Sequence, residues 1–217
     1  MIQIAHRGYS EKYGDNNLES FLEAINVGFD MIEMDLQLCK TGEIVVFHNT
    51  YLNNRAISEY TSKELDEENI ILLTTVLDSI KYNTSIKLFL DIKGNSKVIY
   101  PLIDILSSNF SRMQLRRIYI SGFNRKFVKP LLESKLPVRI GLTTVNSFDK
   151  EDLEYLTKNI NFVCFHWTAL DSENIEMLHK KGIIVYSFTS EEGYILEYMK
   201  KFKLDGIVSK NLLWPRQ

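Results

Sequence analysis

DMIEMDLQL, residues 30–38, is the stretch on which the fold turns. Ile32, Met34 and Leu36 share one parity while Glu33, Asp35 and Gln37 share the other, and successive strand residues point to opposite faces. An exposed edge strand would alternate in the same way, so the surrounding pattern has to decide. Further short runs rich in Ile, Val, Phe and Tyr lie at 2–5, 44–47, 86–92, 117–121, 137–142, 161–166, 183–188 and 205–208. Most are separated by amphipathic segments of helical length: LESFLEAINVG, ending at Gly28, then DLEYLTKN, SENIEMLHKKG and GYILEYMKKF. Strand followed by helix, repeated, predicts a parallel sheet. The run at 44–47 follows its predecessor through KTGE, too short for a crossover helix, so it is expected to return antiparallel as a hairpin off the barrel. About eight strand and helix units remain, which predicts an α/β, TIM-type (β/α)8 barrel. Helices cover the outside of such a barrel, so the apolar parity of residues 32, 34 and 36 belongs outward and the carboxylates belong inside.

KLFLDIKG, residues 87–94, repeats the arrangement: Asp91 and Lys93 oppose Leu88, Leu90 and Ile92. Glu33, Asp35 and Asp91 therefore converge on one rim. Like charges brought together in a confined site are costly unless a cation or protons compensate, and hard oxygen ligands suit Mg2+ or Ca2+. One divalent cation is the economical expectation; a purely structural ion-pair network with Arg7 and Lys93 is the competing one. His6, in MIQIAHRG, and His48, in EIVVFHN, end apolar runs at the same rim. A lone histidine is more often a hydrogen-bonded core residue, but two imidazoles with separated pKa values can run both proton transfers of a displacement. His166, closing NFVCFH beside Trp167, fits either pocket or core, and His179, before Lys180, Lys181 and Gly182, reads as a solvated residue complementing a helix C-terminus. A Cys39/His48 nucleophile pair is discounted, because no orienting third group is apparent and Cys39 falls at the hairpin turn.

The bulk properties bound the function. With 217 residues, 45% of them hydrophobic, and no linker or low-complexity tract, one domain over residues 1–217 is expected. A net charge of −2 argues against nucleic acid and for a small-molecule substrate. Cys39 and Cys164 provide neither a disulfide framework nor zinc-finger spacing, which suits a reducing, cytoplasmic compartment. The N-terminus lacks a basic segment followed by an apolar one, and no apolar run approaches the roughly 18 residues of a membrane span. Residues 49–72 form the least regular part, expected as a surface excursion near the barrel mouth. No glycine-rich phosphate loop is present.

With HRG at residues 6–8, IEMDLQLCKTGEIVVFHN at 32–49 and LDIKG at 90–94, the chain resembles the glycerophosphodiester phosphodiesterase family. DNNLESF is similar to its ENT-x-x-x-F segment, ILLTTVLDSI to the helix after its insertion, IYISGFN to its strand ending in Ser-Phe and LDGIVSKN to its last strand. The resemblance implies a TIM-type barrel, a divalent metal, and hydrolysis of glycerophosphodiesters to glycerol 3-phosphate and an alcohol. It implies His6 and His48 as the acid/base pair, Glu33, Asp35 and Asp91 as metal ligands, and Arg7 and Lys93 as the clamp on the phosphate. In the implied mechanism the neighbouring glycerol hydroxyl attacks phosphorus, one histidine taking its proton and the other protonating the leaving alkoxide, and water opens the cyclic phosphate.

The chain departs from the family pattern in places. Asp91 stands for a Glu, Asp15 and Asn17 replace the Glu and Thr around a retained Asn16, Lys210 takes an acidic position, and Tyr186 with Phe188 stand where a Trp is frequent. The segment between His48 and Thr75 is short for the family, so a more open mouth is expected. Asp91 and Lys210 motivate the alternative of a catalytically weak member that binds phosphorylated ligands. Cleavage of lysophospholipids at the same site is a third reading, for which Tyr51, Trp167 and Trp214 would supply an apolar rim.

Overall fold

A computed structural model of the chain describes residues 1–214 apart from Tyr82, Thr84 and Glu191, so the last three residues of the expected domain lie outside the described residues. The described residues form eleven strands: β1 Ile2–Ala5, β2 Met31–Leu38, β3 Ile44–Val46, β4 Tyr51–Leu52, β5 Arg55–Ala56, β6 Lys87–Ile92, β7 Ile118–Gly122, β8 Arg139–Thr144, β9 Phe162–His166, β10 Ile184–Ser190 and β11 Gly206–Ser209. Eight of them, β1, β2 and β6 to β11, pair in parallel in sequence order, and β11 returns to β1, closing the expected barrel. β3 pairs antiparallel with β2, Leu36 beside Val46, as the short KTGE link requires. Helices occupy every connection between successive barrel strands, from Leu18–Val27 after β1 to Gly193–Met199 before β11. Among the described residues no helix follows β11.

Strand phase sets the layers. Ile32, Met34 and Leu36 of β2 and Leu88, Leu90 and Ile92 of β6 join Phe21, Leu77, Leu102 and Leu178 of the helices in the outer core. Burying each such side chain contributes roughly 1.5–3 kcal/mol, which fixes the register, because a slip by one residue would turn the carboxylates into that apolar layer. Inside the barrel Phe89, Tyr119, Phe162 and Tyr186 pack with Ile4, Met31 and Val208. Phe162 lies 5.4 Å, ring to ring, from both Phe89 and Tyr119. Gly141 makes room for it: a Cβ there would come within 2.3 Å of the Phe162 ring. These rings form a dry floor, and the polar residues sit above it, toward the C-terminal ends of the strands.

The excursion at residues 49–72 is better ordered than a surface loop. β4 and β5 form a small hairpin, and Ile57, Tyr60, Leu65 and Ile70 pack with Cys39 and Val45 into a satellite core on the β2–β3 hairpin. The polar run NTYLNNR concealed this, because its apolar partners lie on the other side of His48. No helix of the described residues is long and apolar enough to cross a membrane.

Candidate active site

The parallel registers of β2, β6 and β7 place Asp35 beside Asp91 and Asp91 beside Ser121, with Glu33 one layer down beside Phe89. One carboxylate oxygen from each of Glu33, Asp35 and Asp91 lies within 4.8 Å of the others, and the three residues are 5, 1 and 4% exposed. Three buried carboxylates at that spacing form a hard oxygen donor set of the kind Mg2+ and Ca2+ take, so the residues fit the expected cation.

The same residues also form the competing ion-pair network. Lys93 Nζ is 3.2 Å from Asp35 Oδ1 and donates to Asp91 Oδ2, and Arg7 Nε lies 3.2 Å from Asp35 Oδ2. The Arg7 guanidinium extends to Asp15 Oδ2 at 2.6 Å, while its backbone N–H donates to Glu33 Oε2 at 2.8 Å. That reach needs an unusual turn. Arg7 has φ +57° and Gly8 φ +83°, and a Cβ on Gly8 would fall 2.3 Å from Ser20 Oγ, so glycine is required after the arginine. Asn16 Nδ2 donates to Asp35 Oδ2 at 2.8 Å, which gives the retained Asn of the DNN segment a structural purpose.

The charges partition unequally. Burial, then Asp35 and Asp91, push the Glu33 carboxyl well above the usual range. Burial also acts against Asp35, but Lys93 and Arg7 outweigh it and hold that carboxyl low. Of these two carboxyls, Glu33 is therefore the one whose protonated form the site favours when no cation is bound. Lys93, opposed by burial, is held protonated by Asp91, Asp35 and Glu33.

Both histidines face the cavity. His6 extends β1, its N–H donating to Ser209 O at 2.9 Å and its carbonyl accepting from Ser10 Oγ at 2.7 Å. Burial, helped by Arg7, brings its pKa down to about 4, and its Nδ1 is buried without a hydrogen-bond partner. His48 is steadied from behind: Gln37, the last inward residue of β2, donates to the carbonyls of Phe47 at 2.8 Å and Asn49 at 2.6 Å, and Asn49 Oδ1 meets His48 Nδ1 at 2.9 Å. His6, Arg7, Glu33, His48, Asp91 and Lys93 line one cavity of about 180 Å³. Asp35 sits just beneath it. All seven residues singled out from the sequence are thus brought together.

The low pKa of His6 has a consequence for stability. Between pH about 6.5, where the unfolded residue titrates, and pH about 4, the unfolded chain holds the extra proton, so unfolding is favoured as pH falls through that window and no further below it. The metal-stripped protein is expected to lose at most about 3 kcal/mol by this route. Urea unfolding of wild type and His6→Ala across pH 4–7 measures it: the variant's stability should fall less steeply, and parallel slopes would contradict the assignment.

Several residues at the site carried weaker sequence signals. The hydroxyls of Ser121 and Thr143 meet Asp91 Oδ1, and Phe123, Phe188, Thr189 and Cys164 also line the cavity. Ser121 shares the inward parity of Tyr119, whereas Thr143 fell beyond the expected end of its strand at residue 142, β8 continuing to Thr144. His166 is not in the cavity wall; its Nδ1 lies 2.7 Å from Thr168 Oγ1 and its ring meets Phe188 edge-on. His179 pairs with Asp205 Oδ2 at 3.0 Å in addition to its place in the last helical turn. Of the three aromatics considered for a rim, Tyr51 borders a groove of about 390 Å³ that shares His48, Lys93 and Phe123 with the cavity. Trp167 packs on the outer core and against Tyr198, and Trp214 is tied by its backbone to Gln3 of β1, so neither is a rim residue.

The sequence and the fold have counterparts among known proteins. The chain is 27% identical over 229 residues to a glycerophosphodiester phosphodiesterase of Bacillus altitudinis, an alignment covering 94% of this chain and 92% of the relative. Among solved structures, a phosphodiesterase of Oleispira antarctica in complex with the product sn-glycerol-3-phosphate superposes with a TM-score of 0.81 at 22% identity, over 97% of this chain and 93% of that one. A putative glycerophosphodiester phosphodiesterase of Galdieria sulphuraria gives 0.84 at 22%, over 96% and 93%. Residues 6–212 match the model of the glycerophosphoryl diester phosphodiesterase family, to which the chain belongs.

Proposed function

We propose that the chain is a divalent-metal-dependent phosphodiesterase that hydrolyses glycerophosphodiesters to glycerol 3-phosphate and an alcohol, from one domain spanning the chain. A single observation carries the reading: three buried carboxylates, two cations and two imidazoles meet around one cavity at the C-terminal end of a parallel barrel. A structural ion-pair network alone would not need both histidines on the same cavity. Glu33, Asp35 and Asp91 would hold the cation, either Mg2+ or Ca2+. When bound, it supplies positive charge toward the phosphoryl oxygens and orients the substrate.

The chain's own residues account for the rest. Arg7 and Lys93 face the phosphate and neutralise its equatorial charge, which grows as phosphorus is attacked. Asp15, Asp35 and Asp91 keep both side chains extended toward that position. His6, neutral at physiological pH, accepts the proton of the neighbouring glycerol hydroxyl as that oxygen attacks phosphorus. His48, at the cavity edge and on the adjoining groove, donates a proton to the departing alkoxide. The cyclic phosphate so formed is opened by water with the two roles exchanged, yielding glycerol 3-phosphate and restoring both histidines. The aromatic floor keeps bulk water from screening these charges from below.

Glycerol 3-phosphate release from glycerophosphocholine, with chelator and then with added Mg2+ or Ca2+, tests the reading. Turnover that requires the ion supports it; binding of phosphate ligands without turnover would favour the weak binder instead. Cation binding is also expected to be proton-linked. Because burial and its acidic neighbours favour the protonated Glu33 carboxyl, affinity should rise with pH, and calorimetry in buffers of different ionisation enthalpy should register proton release as the ion binds. A pH-independent affinity would contradict the charge assignment.

A further inference from the structure

We propose that Ser121 and Thr143 are positioning residues that fix the Asp91 carboxylate for cation binding. This rests on the reading of Glu33, Asp35 and Asp91 as a metal site.

Asp91 has a shorter stem than the Glu usual at its position, so its reach depends on how its carboxylate is turned. Among the described residues neither Arg7 nor a backbone N–H holds it, in contrast to Asp35 and Glu33. Two hydroxyls from the next strands do: Thr143 Oγ1 of β8 lies 3.1 Å from Asp91 Oδ1 and Ser121 Oγ of β7 lies 3.3 Å from the same oxygen. All three residues are buried, Ser121 completely. The two hydroxyl oxygens also touch each other, which makes three contacts for two hydrogens. An ionised carboxylate has none to give, so either both hydroxyls donate to Oδ1, or one hydroxyl donates to the other and the second donates to Oδ1. The Thr143 contact is the shorter of the two.

Lys93 meanwhile draws on Oδ2. Without the hydroxyls nothing on the far side opposes that pull, and the carboxylate can turn into the ion pair and away from its partners on β2. The pair thus keeps one methylene less of side chain in the orientation the donor set needs. Hydrogen bonds of this kind to metal-binding carboxylates change affinity by ~10–100-fold when removed.

The test is Mn2+ titration of chelator-stripped protein, read by electron paramagnetic resonance, on wild type, Thr143→Val, Thr143→Ser and Ser121→Ala, with circular dichroism to establish folding. Thr143→Val should weaken Mn2+ binding by ~10–100-fold, and turnover should recover when Mn2+ is raised to saturation. Thr143→Ser, which keeps the hydroxyl, should stay near wild type, and Ser121→Ala should lose affinity to a smaller extent than Thr143→Val. A folded Thr143→Val with wild-type affinity overturns the proposal while leaving the metal site intact. Should that variant fail to fold, equal affinities for wild type and Ser121→Ala overturn it instead. A wild type that binds no Mn2+ overturns the metal-site reading, and the positioning role with it.

Discussion

His6→Ala and His48→Ala should each lower turnover of glycerophosphocholine by ~10²–10⁴-fold, the usual worth of a positioned proton donor or acceptor. Cation affinity should be retained in both, because neither imidazole belongs to the acidic cluster. The two variants should differ in which step fails. With His6 removed, the attacking hydroxyl has no acceptor for its proton, and leaving alcohols of low pKa should not rescue the rate. With His48 removed, the first-step deficit is at the departing alkoxide, so a good leaving group such as p-nitrophenolate should recover much of the rate of leaving-group release, while opening of the cyclic phosphate by water stays slow. The check is the ratio of rates on the activated and natural substrates for wild type and both variants. Equal rescue in both would reject the division of roles, and undiminished turnover in either would reject that residue as a proton carrier.

The second large effect concerns Asp35. It is 1% exposed and meets Arg7, Lys93 and Asn16, so Asp35→Ala removes both a cation ligand and the counter-charge of two partly buried cations. Breaking such an arrangement from one side costs ~3–5 kcal/mol, because the remaining charges stay desolvated and unpaired. Urea unfolding of the chelated variant should show that loss, and cation binding should fall below detection. Asp15→Ala serves as the contrast. Asp15 pairs with the same arginine, but its side chain is 45% exposed, so its removal should cost below about 1 kcal/mol. Similar losses for the two variants would mean that burial does not set the strength of the cluster.

How much of this was readable from the chain depends on whether a residue's neighbours lie along one strand or across several. Parity within DMIEMDLQL and KLFLDIKG already separates Glu33, Asp35 and Asp91 from the apolar face, and the strand and helix alternation supplies the barrel that makes that face an interior. The spacing of KTGE likewise fixes the antiparallel hairpin. Ser121 and Thr143 were harder to see because small hydroxyl residues are ordinary strand components, and only the β6–β7–β8 registry reveals that they share an acceptor. Gln37 is a similar case: its inward parity was plain, but its hold on the backbone around His48 depends on how the β2–β3 hairpin closes. Of the expected aromatic rim, Trp214 lies elsewhere for a related reason. Trp214 reads as free to face the mouth, whereas the chain after β11 is drawn onto Gln3 on the outer face of β1. Arg7 is intermediate, since HRG marks the position but not the left-handed turn that lets its backbone and its side chain serve Glu33 and Asp35 together.

The most direct test of the account is anomalous diffraction from a crystal soaked in Mn2+ and glycerol 3-phosphate. One strong peak should lie within oxygen-ligand distance, ~2.0–2.6 Å, of Glu33, Asp35 and Asp91, with the phosphate on Arg7 and Lys93 and both His6 and His48 facing it. A cation elsewhere on the molecule, or Lys93 still seated between Asp35 and Asp91 with no ion bound at saturating Mn2+, would contradict it.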